Sequence, residues 1–245
     1  MAVEIYRASL TLMEHTYFAS REVGILYQTE PLIGNYALAY ALGLCNAPYD
    51  WNGPPRYKMD LGPLNERGIY LTPGTFTPET LRYAFSQFNA QTDSYFSRFD
   101  QNAIGTNPGK KARAANFPQS GKIRMLGRES RANFFLLNLY QAQWSLPDYI
   151  RLGKFNSKAH IVWEQLSLES EQPEERSEAL DFLLNAADLP PVLVGNMRAF
   201  SIYNIYPAPL LSRCHLKGAF WHCKSKAGKS IFLPAGMRFG VDVIE

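Results

Sequence analysis

Four residues near the carboxyl end of the sequence are of types that bind zinc: Cys214, His215, His222 and Cys223. Structural zinc sites usually take their ligands in pairs separated by two to four residues. Here the members of each pair are adjacent, and adjacent residues of a strand point to opposite faces. The spacing therefore favours a β-hairpin that turns at Lys217-Gly218, and we expect no metal site and no cofactor.

The segment AGKS, residues 227–230, has the sequence that ends a phosphate-binding loop. That loop needs a glycine five positions before its second glycine, because the glycine-rich backbone cradles the phosphates. Cys223 stands at that position in this chain. Nucleotide hydrolysis is therefore not predicted.

Acid–base cleavage of RNA is the remaining catalytic chemistry to consider. It needs one group that takes the proton of a 2′-hydroxyl and another that protonates the leaving oxygen. His160 lies two residues after Lys158 and could fill one role, and a tyrosine such as Tyr6 is another candidate. The sequence offers no evident second group and no G-x-S-x-G nucleophile motif. We expect no catalytic residues, and a metal-independent endoribonuclease is the alternative.

Positive charge is concentrated in one part of a chain whose net charge is only +3. Residues 101–131 hold a single acid, Glu129, and seven cations: Lys110, Lys111, Arg113, Lys122, Arg124, Arg128 and Arg131. Each cation placed on a phosphate displaces counterions and adds affinity that does not depend on base sequence. Phe117 and Phe134 flank the cluster, and aromatic rings can stack on unpaired bases. The segment fits a nucleic-acid-binding arm, and a solvated loop is the alternative.

The stretch GKFNSKAHIVWEQL, residues 153–166, carries a second set of binding groups. Lys154 and Lys158 offer charges to phosphate, Asn156 offers hydrogen bonds and Phe155 offers a stacking face. The same pattern also fits an ordinary loop that leads into a strand. By contrast, residues 160–188 hold eight acids and one cation, which would repel phosphate or meet another protein.

Strands are predicted on both sides of these segments. Alternation of apolar and polar residues predicts a strand over residues 5–12, and NFFLLNLYQ, apolar on both faces, predicts a central strand. Three further strands are predicted near the carboxyl end: 198–206, 210–223 and 230–243.

Helices are predicted from Thr29 to about Leu42, from Thr77-Pro78 onward, and from Pro173 to Asp188. Residues 45–67 are predicted to form a loop because Pro, Gly, Asn and Asp are frequent there. The element order predicts a single α+β domain over residues 1–245, with helices on one face of a mainly antiparallel sheet. The basic segment at about 101–131 is predicted to be an insertion in this domain.

Three cysteines are too few for a disulfide framework and favour a reducing compartment. The start of the sequence has no basic segment followed by an apolar one, as a signal peptide would. The longest run of small and apolar residues, about 36–45, is shorter than the roughly 20 residues of a spanning helix. We therefore expect a cytoplasmic protein that does not contact a membrane.

Four segments, in order, carry a family resemblance: VEIYRASLTLMEHTYFASREVG, TEPLIGNYALAYALGL, YIRLGKFNSKAHIVWE and LPAGMRFG. With these segments, the chain resembles the type I-D CRISPR-associated subunit of the Cas-five class, which is part of the Cascade effector complex. The resemblance covers most of the chain, and the first two segments are the most distinctive. The basic insertion is the part that it covers least.

The resemblance implies a ferredoxin-like core of the RNA-recognition type. It also implies a noncatalytic subunit that binds the 5′ handle of the guide RNA and contacts the large subunit and the backbone subunit. Target DNA would lie nearby, close to its recognition motif. With this resemblance, we predict that RNA is bound by Arg21, Lys154, Phe155, Asn156 and Lys158. The cations of residues 101–131 would then lie along guide RNA or target DNA, and an adaptor whose arm contacts only protein is an alternative.

Overall fold

The structure, a computed structural model, describes residues 3–18, 20–24, 26–45, 55–89, 120–143 and 145–244. Its strands are β1 Glu4–Leu12, β2 Arg21–Val23, β3 Leu26–Gln28, β4 Leu32–Ile33, β5 Ile69–Leu71, β6 Gly74–Phe76, β7 Tyr83–Asn89, β8 Ser120–Leu126, β9 Arg131–Asn138, β10 Tyr149–Leu152, β11 Ser157–Gln165, β12 Ser167–Leu168, β13 Glu174–Ala179, β14 Leu184–Asn185, β15 Ala199–Tyr203, β16 Leu210–Lys224 and β17 Ser230–Pro234. Its helices are α1 Asn35–Ala41, α2 Tyr57–Glu66, α3 Pro191–Gly195 and α4 Val241–Ile244, and 3-10 turns cover Pro78–Thr80 and Ala186–Asp188. None of the helices in the described ranges is long and apolar enough to span a bilayer.

The central sheet is built around β1, which pairs antiparallel with β9 on one side and with β11 on the other. The strand order is β10-β11-β1-β9-β6-β4, and β5 also pairs with β9. Both faces of β9 are buried, since Phe134, Phe135, Leu136 and Leu137 are all inaccessible or nearly so. The predictions of a strand over 5–12 and of a central NFFLLNLYQ strand are confirmed, although β9 begins and ends a few residues earlier than NFFLLNLYQ.

The chain passes through α1 and α2 on its way from β1 to β5 and β6. In the sheet, β9 lies between β1 and these two strands. The two helices bury Leu38, Leu61 and Leu64 in the same core as the apolar residues of the central sheet. The helices therefore cover part of the sheet surface that would otherwise face water.

A second sheet is built around β16, a strand of 15 residues. β12, β13 and β14 pair with one edge of β16, and β15 and β17 pair with the other edge. The predicted hairpin turn at Lys217-Gly218 is wrong, because β16 runs straight through these residues and pairs them with β13. The chain turns instead at 225–229, between β16 and β17. The AGKS segment lies in and just after this turn and leads directly into the strand β17, whereas a phosphate-binding loop leads directly into a helix.

A small third sheet has the order β2-β3-β8-β7, and its β3–β8 pair is parallel. All other pairings between the described strands are antiparallel, so the fold is α+β, rich in strands and poor in helices. Tyr17, Ile123 and Met125 form a separate small apolar cluster beneath this sheet. The isolated bridge between Thr16 and Leu126 joins the sheet to the segment that follows β1.

The three predicted helices differ from the structure. The acidic segment Pro173–Asp188 forms β13, β14 and a 3-10 turn, and the segment after Pro78 forms a 3-10 turn followed by β7. The first predicted helix is shorter, α1, and the hydroxyl of Thr29 does not cap it but donates to the Phe18 carbonyl oxygen at 2.9 Å. A helix that was not predicted, α2, lies within 45–67. For the acidic segment and the segment after Pro78, pairing with β16 and with β8 overrides the local helical pattern.

Asp188 is a buried junction between the two large sheets. Its carboxylate accepts hydrogen bonds from the Asn35 Nδ2, Tyr36 Oη and Tyr70 Oη atoms at 2.6, 2.7 and 3.0 Å. The backbone N–H of Gly240 donates a fourth hydrogen bond at 2.8 Å. Burial raises the pKa of Asp188 to about 6, against the opposing effect of these hydrogen bonds. At neutral pH the group is therefore mostly ionised and serves as an acceptor for donors from α1, β5 and the C-terminal segment.

Candidate nucleic-acid interface

The turn between β10 and β11 carries the residues that the sequence singled out for RNA. We call residues 153–158 the cationic turn. Gly153 and Asn156 both have left-handed backbone conformations, with φ of +68° and +50°. The backbone N–H of Lys154 donates to the Tyr17 carbonyl oxygen at 2.7 Å, which fixes the turn to the segment after β1. The structure thus presents Lys154, Phe155 and Asn156 together, at an exposed tip with a defined conformation.

Phe155 supplies an accessible aromatic face on this turn. Its ring lies 5.3 Å, centroid to centroid, from the ring of Tyr17, and 54% of the residue remains exposed. One side of Phe155 is therefore supported by protein, and much of the rest faces solvent. This arrangement is suited to stacking with an unpaired base.

Lys158 lies in a group of three side chains on one face of the β10–β11 hairpin. Its Nζ atom is 4.1 Å from the centroid of the Tyr149 ring, a cation–π contact. The His160 ring lies 5.0 Å from the same ring, because Tyr149 and His160 are directly paired across the two strands. The structure therefore brings Lys158 and His160 together with Tyr149, a residue that the sequence did not single out.

Glu14 holds the base of the cationic turn. One of its carboxylate oxygens accepts the backbone N–H of Lys158 at 2.7 Å and lies 3.7 Å from Nη1 of Arg151. Arg151 also donates to the Asn156 carbonyl oxygen at 3.1 Å. Residues 151–158 carry three cations, Arg151, Lys154 and Lys158, and no acid, so this segment has a net positive charge beside Glu14.

The next residue along the chain, His15, connects this turn to a second cationic position. The hydroxyl of Ser157 donates to the His15 carbonyl oxygen at 2.7 Å, and the His15 Nδ1 atom accepts the backbone N–H of Arg128 at 3.3 Å. The side chain of Arg128 is exposed. The turn 127–130 and the cationic turn therefore both contact His15, in the segment that follows β1.

The small sheet has one face that carries cations. Strand pairing aligns Arg21 with Gln28, Gln28 with Arg124, and Arg124 with Phe85, and aligned side chains share a face of the sheet. Lys122, two residues before Arg124, lies on the same face. We call this the basic face. Phe85 is 69% exposed, and the guanidinium carbon of Arg124 lies 4.7 Å from the centroid of the Tyr83 ring.

The residues predicted to form one basic arm do not lie in a single element of the structure. Lys110, Lys111 and Arg113 lie outside the described residues. Lys122 and Arg124 belong to β8, which pairs antiparallel with β7. Arg131 is the first residue of β9 and pairs with Thr11, so it belongs to the central sheet and not to the insertion.

The cysteine and histidine pairs of β16 do not form a common site. Cys214 and Cys223 are fully buried, and burial raises the pKa of these thiols to about 11 and about 12, which disfavours the thiolate form. The ring nitrogens of His215 and His222 contact the hydroxyls of Ser177 and Ser230. Among the residues that the structure describes, no three His, Cys, Asp or Glu side chains are grouped as metal ligands would be.

The chain is thus an antiparallel-sheet protein that presents cations and aromatic rings on the cationic turn and on the basic face. A family model described as type I-D CRISPR-associated protein Cas5/Csc1 matches residues 3–242. The chain belongs to this family, which confirms the resemblance of its four segments.

No curated protein sequence matches the chain significantly. Among solved structures, a chain of the cryo-EM structure of type III-B Cmr-beta bound to cognate target RNA and AMPPnP is similar, with a TM-score of 0.45. The two chains share 10% identity over 86% of each.

Proposed function

We propose that this protein is a noncatalytic subunit of the type I-D CRISPR effector complex that binds the 5′ handle of the guide RNA. Membership of the type I-D Cas5/Csc1 family supports a role in a CRISPR effector. The observation that carries the more specific proposal is the cationic turn: Lys154 and Phe155 stand at a tip supported by Tyr17, and Lys158 follows in β11 with its backbone N–H bonded to Glu14.

The chemistry of the cationic turn suits the backbone and the unpaired bases of RNA. Lysines neutralise phosphates without regard to base sequence, and the exposed ring of Phe155 accepts any base as a stacking partner. Guide–target base pairing carries the sequence specificity of such a complex, so the protein needs only to hold the RNA in place. The basic face offers a second set of cations for guide RNA or target DNA.

We further propose that the central sheet is a ferredoxin-like core. Its support is the split β-α-β arrangement, in which β9 lies between β1 and the strands β5 and β6 that follow α1 and α2. β11 then takes the place of the fourth strand, on the other side of β1. The described residues between β9 and β11 contain β10 and no helix, which departs from the usual second helical crossover.

The acidic edge of the second sheet is proposed to meet another protein subunit, such as the large subunit or the backbone subunit of Cascade. β13 pairs with β16 only, among the described strands, and it carries Glu174, Glu175 and Glu178. Its one cation, Arg176, lies 3.0 Å from Glu174 and 3.7 Å from Glu178. Such an edge repels phosphate, and the unpaired backbone groups of an edge strand are available to a partner.

Replacing Lys154 and Lys158 together with alanine is expected to weaken binding of single-stranded handle RNA about tenfold at low salt. Each lost phosphate contact on a single strand also reduces the slope of log affinity against log salt by about 0.7, so the double variant should lose about 1.4. Fluorescence anisotropy of a labelled RNA, titrated at four or five KCl concentrations, measures both quantities.

The matched control is the double replacement of Lys226 and Lys229 with alanine, which removes the same charge from the exposed β16–β17 turn. Its RNA affinity and its salt slope should stay close to those of the unchanged protein. Equal losses in the two double variants would mean that only overall charge matters, and the proposed site would then be wrong.

The group formed by Tyr149, Lys158 and His160 supports one second candidate, a metal-independent endoribonuclease, since it places possible proton donors and acceptors together. We expect that precursor RNA incubated with the protein and a chelator stays intact on a denaturing gel. Cleavage at one position, lost in His160→Ala and kept in His222→Ala, would overturn the noncatalytic assignment.

A further inference from the structure

A large pocket lies beside the cationic turn and shares Gly153 with it. Its volume is about 770 Å³, within the range of sites that bind small organic molecules. Leu152 and Gly153 line one wall of the pocket, and Phe18, next to Tyr17, lines it as well. The pocket is therefore continuous with the turn that holds Lys154 and Phe155.

Tyrosine rings line the other side of this pocket, which we call the tyrosine pocket. The Tyr57 ring is central, with its centroid 5.4 Å from that of Tyr36, and 6.5 Å from both Tyr40 and Tyr206. Tyr206 is 76% exposed and lies at the rim. Burial raises the pKa of Tyr57 to about 12, so this ring is neutral at physiological pH.

The charges of the tyrosine pocket are paired within the protein. The Asp60 carboxylate accepts a hydrogen bond from Tyr40 Oη at 2.9 Å and lies 3.4 Å from Nη2 of Arg56. The amide side chain of Asn204 also lines the pocket. Aromatic faces with a few amide and hydroxyl groups match a nucleobase, whose faces are apolar and whose edges form hydrogen bonds.

We propose that the tyrosine pocket receives one unpaired base of the RNA strand that the cationic turn binds. This inference rests on the proposed function and adds a site to it. The strand would pass Lys154 and Phe155 at the shared wall and turn one base inward, where it stacks against the tyrosines. Gly153, which the pocket and the cationic turn share, and its neighbour Leu152 favour RNA as the occupant over an unrelated ligand.

The test uses handle RNA in which 2-aminopurine replaces one nucleotide at a time, because its fluorescence falls when the base stacks on an aromatic ring. We expect one or two positions at which binding to the full chain quenches the signal. Tyr206→Ala should remove that quenching at the same positions and lower the affinity about tenfold, as loss of one stacked base does. Tyr206→Phe, which keeps the ring, should retain the quenching.

Tyr140→Ala is the matched control, because Tyr140 is 58% exposed and does not line the pocket. RNA binding that depends on Lys154 and Lys158 but shows no position sensitive to Tyr206 would overturn the pocket inference alone. Absence of any RNA binding by the unchanged protein would overturn the proposed function. If Tyr206→Ala instead weakens assembly with other subunits and leaves RNA binding unchanged, the pocket binds protein and the inference is wrong.

Discussion

Replacing Asp188 with alanine is expected to lower the free energy of unfolding by about 3–5 kcal/mol. The change removes the shared acceptor of Asn35, Tyr36, Tyr70 and the Gly240 N–H. The first three of these donors are buried, and each buried donor without a partner costs about 1–3 kcal/mol. Local relaxation recovers part of this sum. Urea unfolding followed by tryptophan fluorescence measures the change.

The same substitution at Asp181 provides the control. Asp181 lies 3.3 Å from Lys229 in an ion pair whose two side chains are mostly exposed. Exposed ion pairs contribute little, so Asp181→Ala should change the stability by no more than about 0.5 kcal/mol. If the two variants unfold at the same urea concentration, the Asp188 network does not hold the sheets together as described.

Gly153→Ala is expected to cost about 2–3 kcal/mol of stability, together with about a tenfold loss in affinity for handle RNA. The left-handed backbone of Gly153 costs an alanine about 1–2 kcal/mol. The added Cβ atom would also overlap the Tyr17 carbonyl oxygen, which accepts the Lys154 N–H. Loss of that hydrogen bond adds about 1 kcal/mol and lets Lys154 and Phe155 move away from their support. Urea unfolding and RNA anisotropy measure the two effects.

Gly228→Ala separates backbone strain from displacement of the turn. Gly228 has a similar left-handed conformation, with φ of +78°, and nothing lies within 4 Å of an added Cβ atom. This control should lose about 1 kcal/mol of stability and bind RNA as the unchanged protein does. An equal loss of RNA affinity in both variants would show that the position of the cationic turn does not matter for binding.

The strands of the central sheet could be predicted because their burial follows directly from the local pattern. β1 alternates and β9 is apolar on both faces, so each segment contains its own signal. β13 contains no such signal, because Glu174–Ala179 is charged and its strand conformation comes from pairing with residues 215–220 of β16. The acids and the apolar spacing after Pro173 fit a helix equally well. Only the partner strand decides between the two structures.

The candidate site likewise has one part that the sequence predicts and another part that only the fold assembles. Lys154, Phe155 and Asn156 are neighbours in sequence, so the sequence alone placed them together. Tyr149 reaches Lys158 and His160 through the register of two strands, and Tyr17 reaches Phe155 through a backbone hydrogen bond of the turn. Arg21 and Arg124 share a face of the small sheet only because three strands, β2, β3 and β8, pair in register. Register and sheet order depend on the whole fold, and a single sequence does not specify them locally.

The position of β1 at the middle of the central sheet has a consequence for synthesis on the ribosome. Its partner strands β9 and β11 begin at Arg131 and Ser157, so about 120 residues must be added after Leu12 before the first partner strand begins. At translation rates of 5–20 residues per second, this interval lasts roughly 6–24 seconds. Throughout this interval, the nine residues of β1 lack both partner strands. Their backbone groups and apolar side chains are open to aggregation or to chaperones. The yield of folded protein in the cell therefore depends on how this nascent segment is protected, in addition to the stability of the finished fold.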